Sequence, residues 1–205
     1  HVQEVVESII GYGTQHFAST LIVRRLKVLD EILKKWNRNE EPTQVDQGII
    51  SELFFEHLTD NIKISVCFEN YAKAQLIKHG YLVHEIKDKL KTLRENQKKM
   101  PVRVEEFKAA IQIENGQYFS DGLSSRTLNY NRLLNEPSYN IVIGYPDSIL
   151  STLNMINAER NKLHLLQELN MSLSDFGVLR IQELWNFIET HTPFILPFES
   201  TVRLH

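Results

Sequence analysis

At 205 residues, with 42% apolar and 24% charged content, the chain has the make-up of an ordinary soluble globular protein with one sizeable core. Its net charge of -3 excludes a protein that coats nucleic acid by bulk electrostatics, while leaving room for a local basic site that grips one or two phosphates. The single cysteine, Cys67, sits in an apolar run with Ile64, Val66 and Phe68, so it excludes an internal disulfide and reads as a buried, inert thiol in a reducing compartment. No stretch has the uninterrupted apolar length needed to cross a bilayer and no signal-peptide pattern opens the chain, so a cytoplasmic setting without membrane attachment is expected.

The apolar spacing predicts a first long helix from about Val2 to Trp36. Val5, Ile9, Leu21, Val23, Leu26, Leu29, Ile32 and Leu33 face its core side, and Gly11 and Gly13 are points of bending or interruption. Asn37 to Thr43 is polar, contains Pro42, and reads as a connection. A second long helix, capped by Asp46, runs to about His79 and stops at Gly80. Its core face holds Ile50, Phe54, Leu58, Ile62, Phe68, Leu76 and Ile77. A charged helical extension follows from Val83 to about Lys99 and ends before Pro101, its Lys and Glu residues reading as a solvated face.

Residues 101–146 change character, with glycines, prolines and Asn/Ser/Asp clusters punctuating short segments. They read as an irregular insertion in which Ala110 to Ile113 and Tyr139 to Ile143 form short strands or extended pieces. The last two helices span about Asp147 to Leu169 and Ser174 to Thr190, with Ser174 as N-cap and Pro193 as the stop. The tail from Phe194 to His205 lacks a clear period. The expected fold is therefore mainly all-α: one domain over residues 1–205, an antiparallel bundle of four to five helices carrying the insertion 101–146.

Metal chemistry finds little support in the chain. His79 and His84 flank Gly80, but there is no His-Glu-x-x-His run, no Cys pair and no repeated Glu-x-x-His, so neither metal nor cofactor is expected. Phosphate cradles of the Walker or dinucleotide type and a serine-hydrolase elbow are missing as well. The distinctive stretch is Arg160-Asn161-Lys162-Leu163-His164. Arg160 and His164 are four residues apart, hence one helical turn apart on the same face, and Arg160 falls in the stripe of Ile149, Leu153, Ile156 and Leu163. An arginine on such a face snorkels, pairs with a carboxylate, or serves a site. In a site, the imidazole moves a proton near neutral pH and the guanidinium grips a phosphate, which together meet the minimum needs of metal-free RNA cleavage. Asn161 is placed to orient the ring, and Lys162 adds a positive charge about 100° away around the helix.

This run, late in a helical chain, resembles the Arg-Asn-x-His signature of the HEPN superfamily (higher eukaryote and prokaryote nucleotide-binding domains). Phe68-Glu69-Asn70-Tyr71-Ala72-Lys73-Ala74-Gln75-Leu76 is similar to the family's Phe-Glu-x-x-x-Lys-x-x-Leu pattern. The family's usual spacing places four to six residues between Arg and His, and here there are three. The resemblance implies a metal-independent endoribonuclease of a toxin–antitoxin or antiphage defence system, active as a homodimer with both motifs facing one cleft. Arg160, Asn161 and His164 would be its catalytic residues, Lys162 an RNA contact, RNA its substrate and an antitoxin its protein partner. The alternative it implies is a non-catalytic interaction or dimerisation module that binds a protein or RNA.

Overall fold

The computed structural model describes residues 2–18, 31–32, 34–35, 38, 40–41, 43–107, 112–114, 117–119, 122–164 and 178–192. The protein is mainly helical, as its periodicity predicts. Along the chain run α1 (Val2–Ala18), α2 (Gln44–Lys78), β1 (His84–Ile86), α3 (Lys91–Lys99), β2 (Gln112–Glu114), β3 (Gln117–Phe119), β4 (Leu123–Thr127), α4 (Tyr130–Asn135), α5 (Pro137–Ile143), α6 (Asp147–His164) and α7 (Val178–His191). These divide into two compact units, each assembled from discontinuous stretches: residues 1–13 with 67–154, and residues 14–66 with 155–205.

The first predicted helix is described over α1, and its stretch from 19 to 30 lies outside the described residues. Its buried positions are Val6, Ile10, Thr14 and Phe17, while Val5 is only half-buried. Gly13 does not break α1. A Cβ there would lie 3.0 Å from the Cys67 Cα, so glycine permits the close approach of α1 to α2 backbone.

Helix α2 begins at Gln44, before the predicted cap. Thr43 is the N-cap and Asp46 works from inside the first turn: the Asp46 carboxylate accepts from the Thr43 N–H at 3.0 Å and its hydroxyl at 2.7 Å, and the Asp46 N–H donates to the Thr43 hydroxyl at 3.2 Å. This is the reciprocal capping box, with aspartate in the usual glutamate position. The helix stops where predicted, since Gly80 takes φ +77°, a left-handed conformation that suits glycine. Ile62 is a correction to the predicted core face. It is exposed, while Ile64 is buried, because the helix register is set by Phe68, Leu76 and Ile77 on the buried side.

After Gly80 the chain does not continue as the expected charged helix over Val83 to Lys99. His84–Ile86 is a strand, a single 3-10 turn follows at Asp88–Leu90, and only then does α3 form. The strand exists because β4 pairs with it antiparallel, matching His84 with Thr127 and Ile86 with Leu123. Gln97 of α3, almost fully buried, closes the other edge. Its amide oxygen accepts from the Ile86 N–H at 3.0 Å and its amide nitrogen donates to the His84 carbonyl at 2.9 Å. Leu82, Ile86, Val102, Phe107 and Leu123 form a small core beneath this pair.

Within the insertion, β2 and β3 pair antiparallel, so the expected strand around Ala110 to Ile113 is found from Gln112 onward. The expected strand at Tyr139 to Ile143 is instead helix α5. Its β-branched residues mislead, but Pro137 occupies the first turn and Gly144, at φ +80°, caps the end with its N–H on the Asn140 carbonyl. Tyr139 is fully buried and its hydroxyl donates to the Gln97 carbonyl at 2.7 Å. Helix α6 starts at Asp147 as predicted and is described to His164; the predicted continuation to Leu169, the Ser174 cap, the Pro193 stop and the tail from Phe194 lie outside the described residues.

Candidate functional site

Helix α6 carries the residues that the sequence reading singled out. Ile149, Thr152, Leu153, Ile156 and Asn157 are its buried positions, a stripe at the spacing of one helical face. Arg160 is the next position on that stripe and is half-buried; Asn161, beside it, is exposed. The backbone is regular α-helix through His164, so the backbone places Arg160 and His164 one turn apart on the same face. The side chains of Lys162, Leu163 and His164 lie outside the described residues.

Around this turn the interior is polar. On α2, Asp60 and Asn61 are 2% exposed and Ser65 is fully buried; on α6, Asn157 is 5% exposed. The Asn61 amide donates to the Glu159 carboxylate at 2.7 Å, tying the turn that bears Arg160 to the middle of α2. Lys63 lies 3.6 Å from the Asp60 carboxylate. Sequence reasoning missed Asp60, Asn61, Asn157 and Glu159. A signal existed: stepping back from Phe68 by four and seven residues reaches Ile64 and Asn61, which puts an amide on the buried side of α2.

The arrangement is chemically legible. A buried amide that donates to a carboxylate fixes one helix against another, and a half-buried guanidinium on the adjoining turn is more weakly hydrated than one in open solvent. That favours capture of a phosphate, for which the guanidinium offers two parallel donors.

The second motif is a packing pattern. Phe68 and Leu76 are fully buried, while Lys73 pairs with Glu69 at 2.6 Å and donates to the Thr127 hydroxyl at 2.8 Å, linking α2 to β4. Next to this link the His84 ring meets the Ser124 carbonyl at 3.2 Å. Burial pushes the His84 pKa below its ordinary value against the opposing effect of that carbonyl, and Lys73 lowers it further. His79, by contrast, is exposed at the end of α2. Cys67 is a buried free thiol whose pKa burial pushes well up, as expected of an inert cysteine. Trp185 meets Phe17 edge-on at 5.1 Å, a packing role.

Among the described residues, no three His, Cys, Asp or Glu side chains are gathered in a way that would hold a metal ion. No described helix is long and apolar enough to cross a membrane. No family model, curated protein or solved structure matches the chain.

Proposed function

We propose that this chain is a HEPN-like helical protein of the cytoplasm that cleaves RNA without a metal, using Arg160 and His164 of α6. The observation that carries the reading is the unbroken helix to His164, which sets those residues one turn apart at the end of a buried stripe. In this scheme the His164 imidazole takes the proton of a ribose 2′-hydroxyl as its oxygen attacks the adjacent phosphorus. The bond to the 5′-oxygen breaks, and that oxygen takes a proton from water while the imidazolium returns its own to solvent, giving a 2′,3′-cyclic phosphate and a 5′-hydroxyl. Arg160 holds the phosphate and its growing negative charge, Asn161 orients a partner group, and Lys162 adds an RNA contact. A homodimer bringing two such turns to one cleft, within a toxin–antitoxin or antiphage system, is the setting the family resemblance supplies.

The test is cleavage of RNA in EDTA by the purified chain. His164→Ala should abolish the cyclic-phosphate product while leaving the far-ultraviolet circular dichroism unchanged. A wild-type chain that cuts no RNA under those conditions overturns the proposal.

Two observations favour a second reading, a non-catalytic interaction or dimerisation module. The bond from Asn61 to Glu159 gives the Arg160 turn a structural task of its own, and the three-residue spacing between Arg160 and His164 is shorter than the family's usual one. A stable dimer in sedimentation, without cleavage and without binding of RNA, would select it.

A further inference from the structure

The charged face of α3, read from sequence as merely solvated, has a sharper organisation. Residues 87–103 hold seven Lys and Arg against Asp88 and Glu95, a net +5 in a chain whose total is -3. Lys91, Arg94 and Lys98 follow one another at three- and four-residue steps and therefore share one side of α3. Arg132 of α4 joins Arg94 and Lys98 around a small cavity of about 30 Å³, whose wall is completed by Glu85, Ile86 and Gln97. That space takes a single oxygen-sized group, not an enclosed small molecule.

We infer that this face of α3, with Arg132, binds the phosphodiester backbone of a single-stranded nucleic acid, one phosphate oxygen entering the cavity between Arg94, Lys98 and Arg132. Three things support the assignment. Two of the three cations are held in place by neighbours that exchange readily, Arg94 by Asp88 and Lys98 by Glu95 at 2.7 Å, both pairs of the weak surface kind, while Arg132 is steadied by the Tyr139 hydroxyl. The local field is positive, since Lys98, then Arg94 and Lys91, keep the Glu95 carboxyl below its ordinary value. The face also offers little of what a protein partner or a membrane needs, because its exposed residues Lys91, Thr92, Glu95, Asn96, Lys98 and Lys99 are all polar and Met100, at the C-cap, is a single exposed apolar side chain at its end. Guanidinium forks and a row of ammonium groups match phosphate chemistry. The inference does not depend on cleavage by α6.

The experiment is fluorescence anisotropy with a short labelled single-stranded RNA, in EDTA, across a salt series, using the His164→Ala chain so that the probe survives. Removing three charges together (Arg94→Gln, Lys98→Gln, Arg132→Gln) should weaken binding by about tenfold or more and flatten the salt slope by roughly 2, at about 0.7 per lost phosphate contact. Neutralising Lys34, Arg38 and Lys78 instead should leave both nearly unchanged. DNA of the same sequence should bind as tightly, because phosphate and not the 2′-hydroxyl is read. Lys98→Glu alone, at an exposed position, repeats the test if the triple variant fails to fold. No binding by the starting protein, an unchanged slope in the variants, or stronger competition by polyglutamate than by unlabelled RNA overturns the assignment. Retained binding without cleavage by the wild-type chain sinks the ribonuclease reading and leaves this one standing.

Discussion

Among the described residues, the two compact units differ in what they bury. In the unit of residues 1–13 and 67–154, the buried residues are overwhelmingly apolar, and its buried polar side chains His84, Gln97 and Thr152 each have a defined hydrogen-bond partner. In the unit of residues 14–66 and 155–205, buried polar residues are as numerous among the described residues as buried apolar ones: Thr14, Asp46, Asp60, Asn61, Ser65, Asn157 and Thr192 stand against Phe17, Ile32, Ile64, Ile156, Leu184, Phe187 and Ile188. Burying an amide or carboxylate costs free energy unless its partners are supplied, and here they are: Asp46 bonds Lys35 and Thr43, Asn61 bonds Glu159, and the Thr192 hydroxyl bonds the Ile188 carbonyl. The unit that holds these buried polar bonds is the one that carries Arg160.

Truncation should hurt most in the apolar unit. Phe68→Ala, at a fully buried ring, should lower unfolding free energy by about 3–5 kcal/mol in urea titration. A loss below about 1 kcal/mol would mean that this core is not close-packed. In the polar unit, Asn61→Ala leaves Glu159 without its 2.7 Å donor and should cost about 1–3 kcal/mol. Under the ribonuclease reading it should also slow RNA cleavage by more than the fraction unfolded accounts for. A smaller comparison is available at the start of α2, where Thr43→Ala removes the capping box and should cost about 0.5–2 kcal/mol, read as a lowered melting temperature.

The smallest expected effect is pH-dependent and returns to the apolar unit. Burial holds the folded-state pKa of His84 below the ordinary 6.5, so the unfolded chain takes up the proton first as pH falls. The stability linked to this ring is complete above pH 6.5 and is lost as pH falls through the depressed folded value. His84→Gln should flatten the urea midpoint against pH across that window; an unchanged slope would remove His84 from the account. Asp46 acts in a lower window. Its carboxyl is held at about 2 by Lys35 and Thr43, so its contribution is full above 3.8 and disappears as pH approaches 2.

Local chemistry made part of the candidate site readable in advance. The stripe of Ile149, Leu153 and Ile156 led to Arg160, and the count of four to His164 needed nothing beyond helical geometry. What could not be read was the company Arg160 keeps. Asn61 and Glu159 are 98 residues apart in the chain, and no local pattern announces their bond. The cationic face of α3 shows the same limit: its charges are plain in the sequence, yet Arg132 joins them only because α4 is folded beside that helix.

Sequence alone determined the helical class, the end of α2 at Gly80 and the start of α6 at Asp147, because these depend on periodicity and on residues that cap or break a helix within one turn. Tertiary structure decided that His84–Ile86 is a strand, since a strand needs a partner and β4 lies about 40 residues further on. It also decided which side of α2 is interior: the apolar residues Phe55 and Ile62 lie exposed while Asp60 and Asn61 are buried, a choice made by packing against other helices and invisible to any single one.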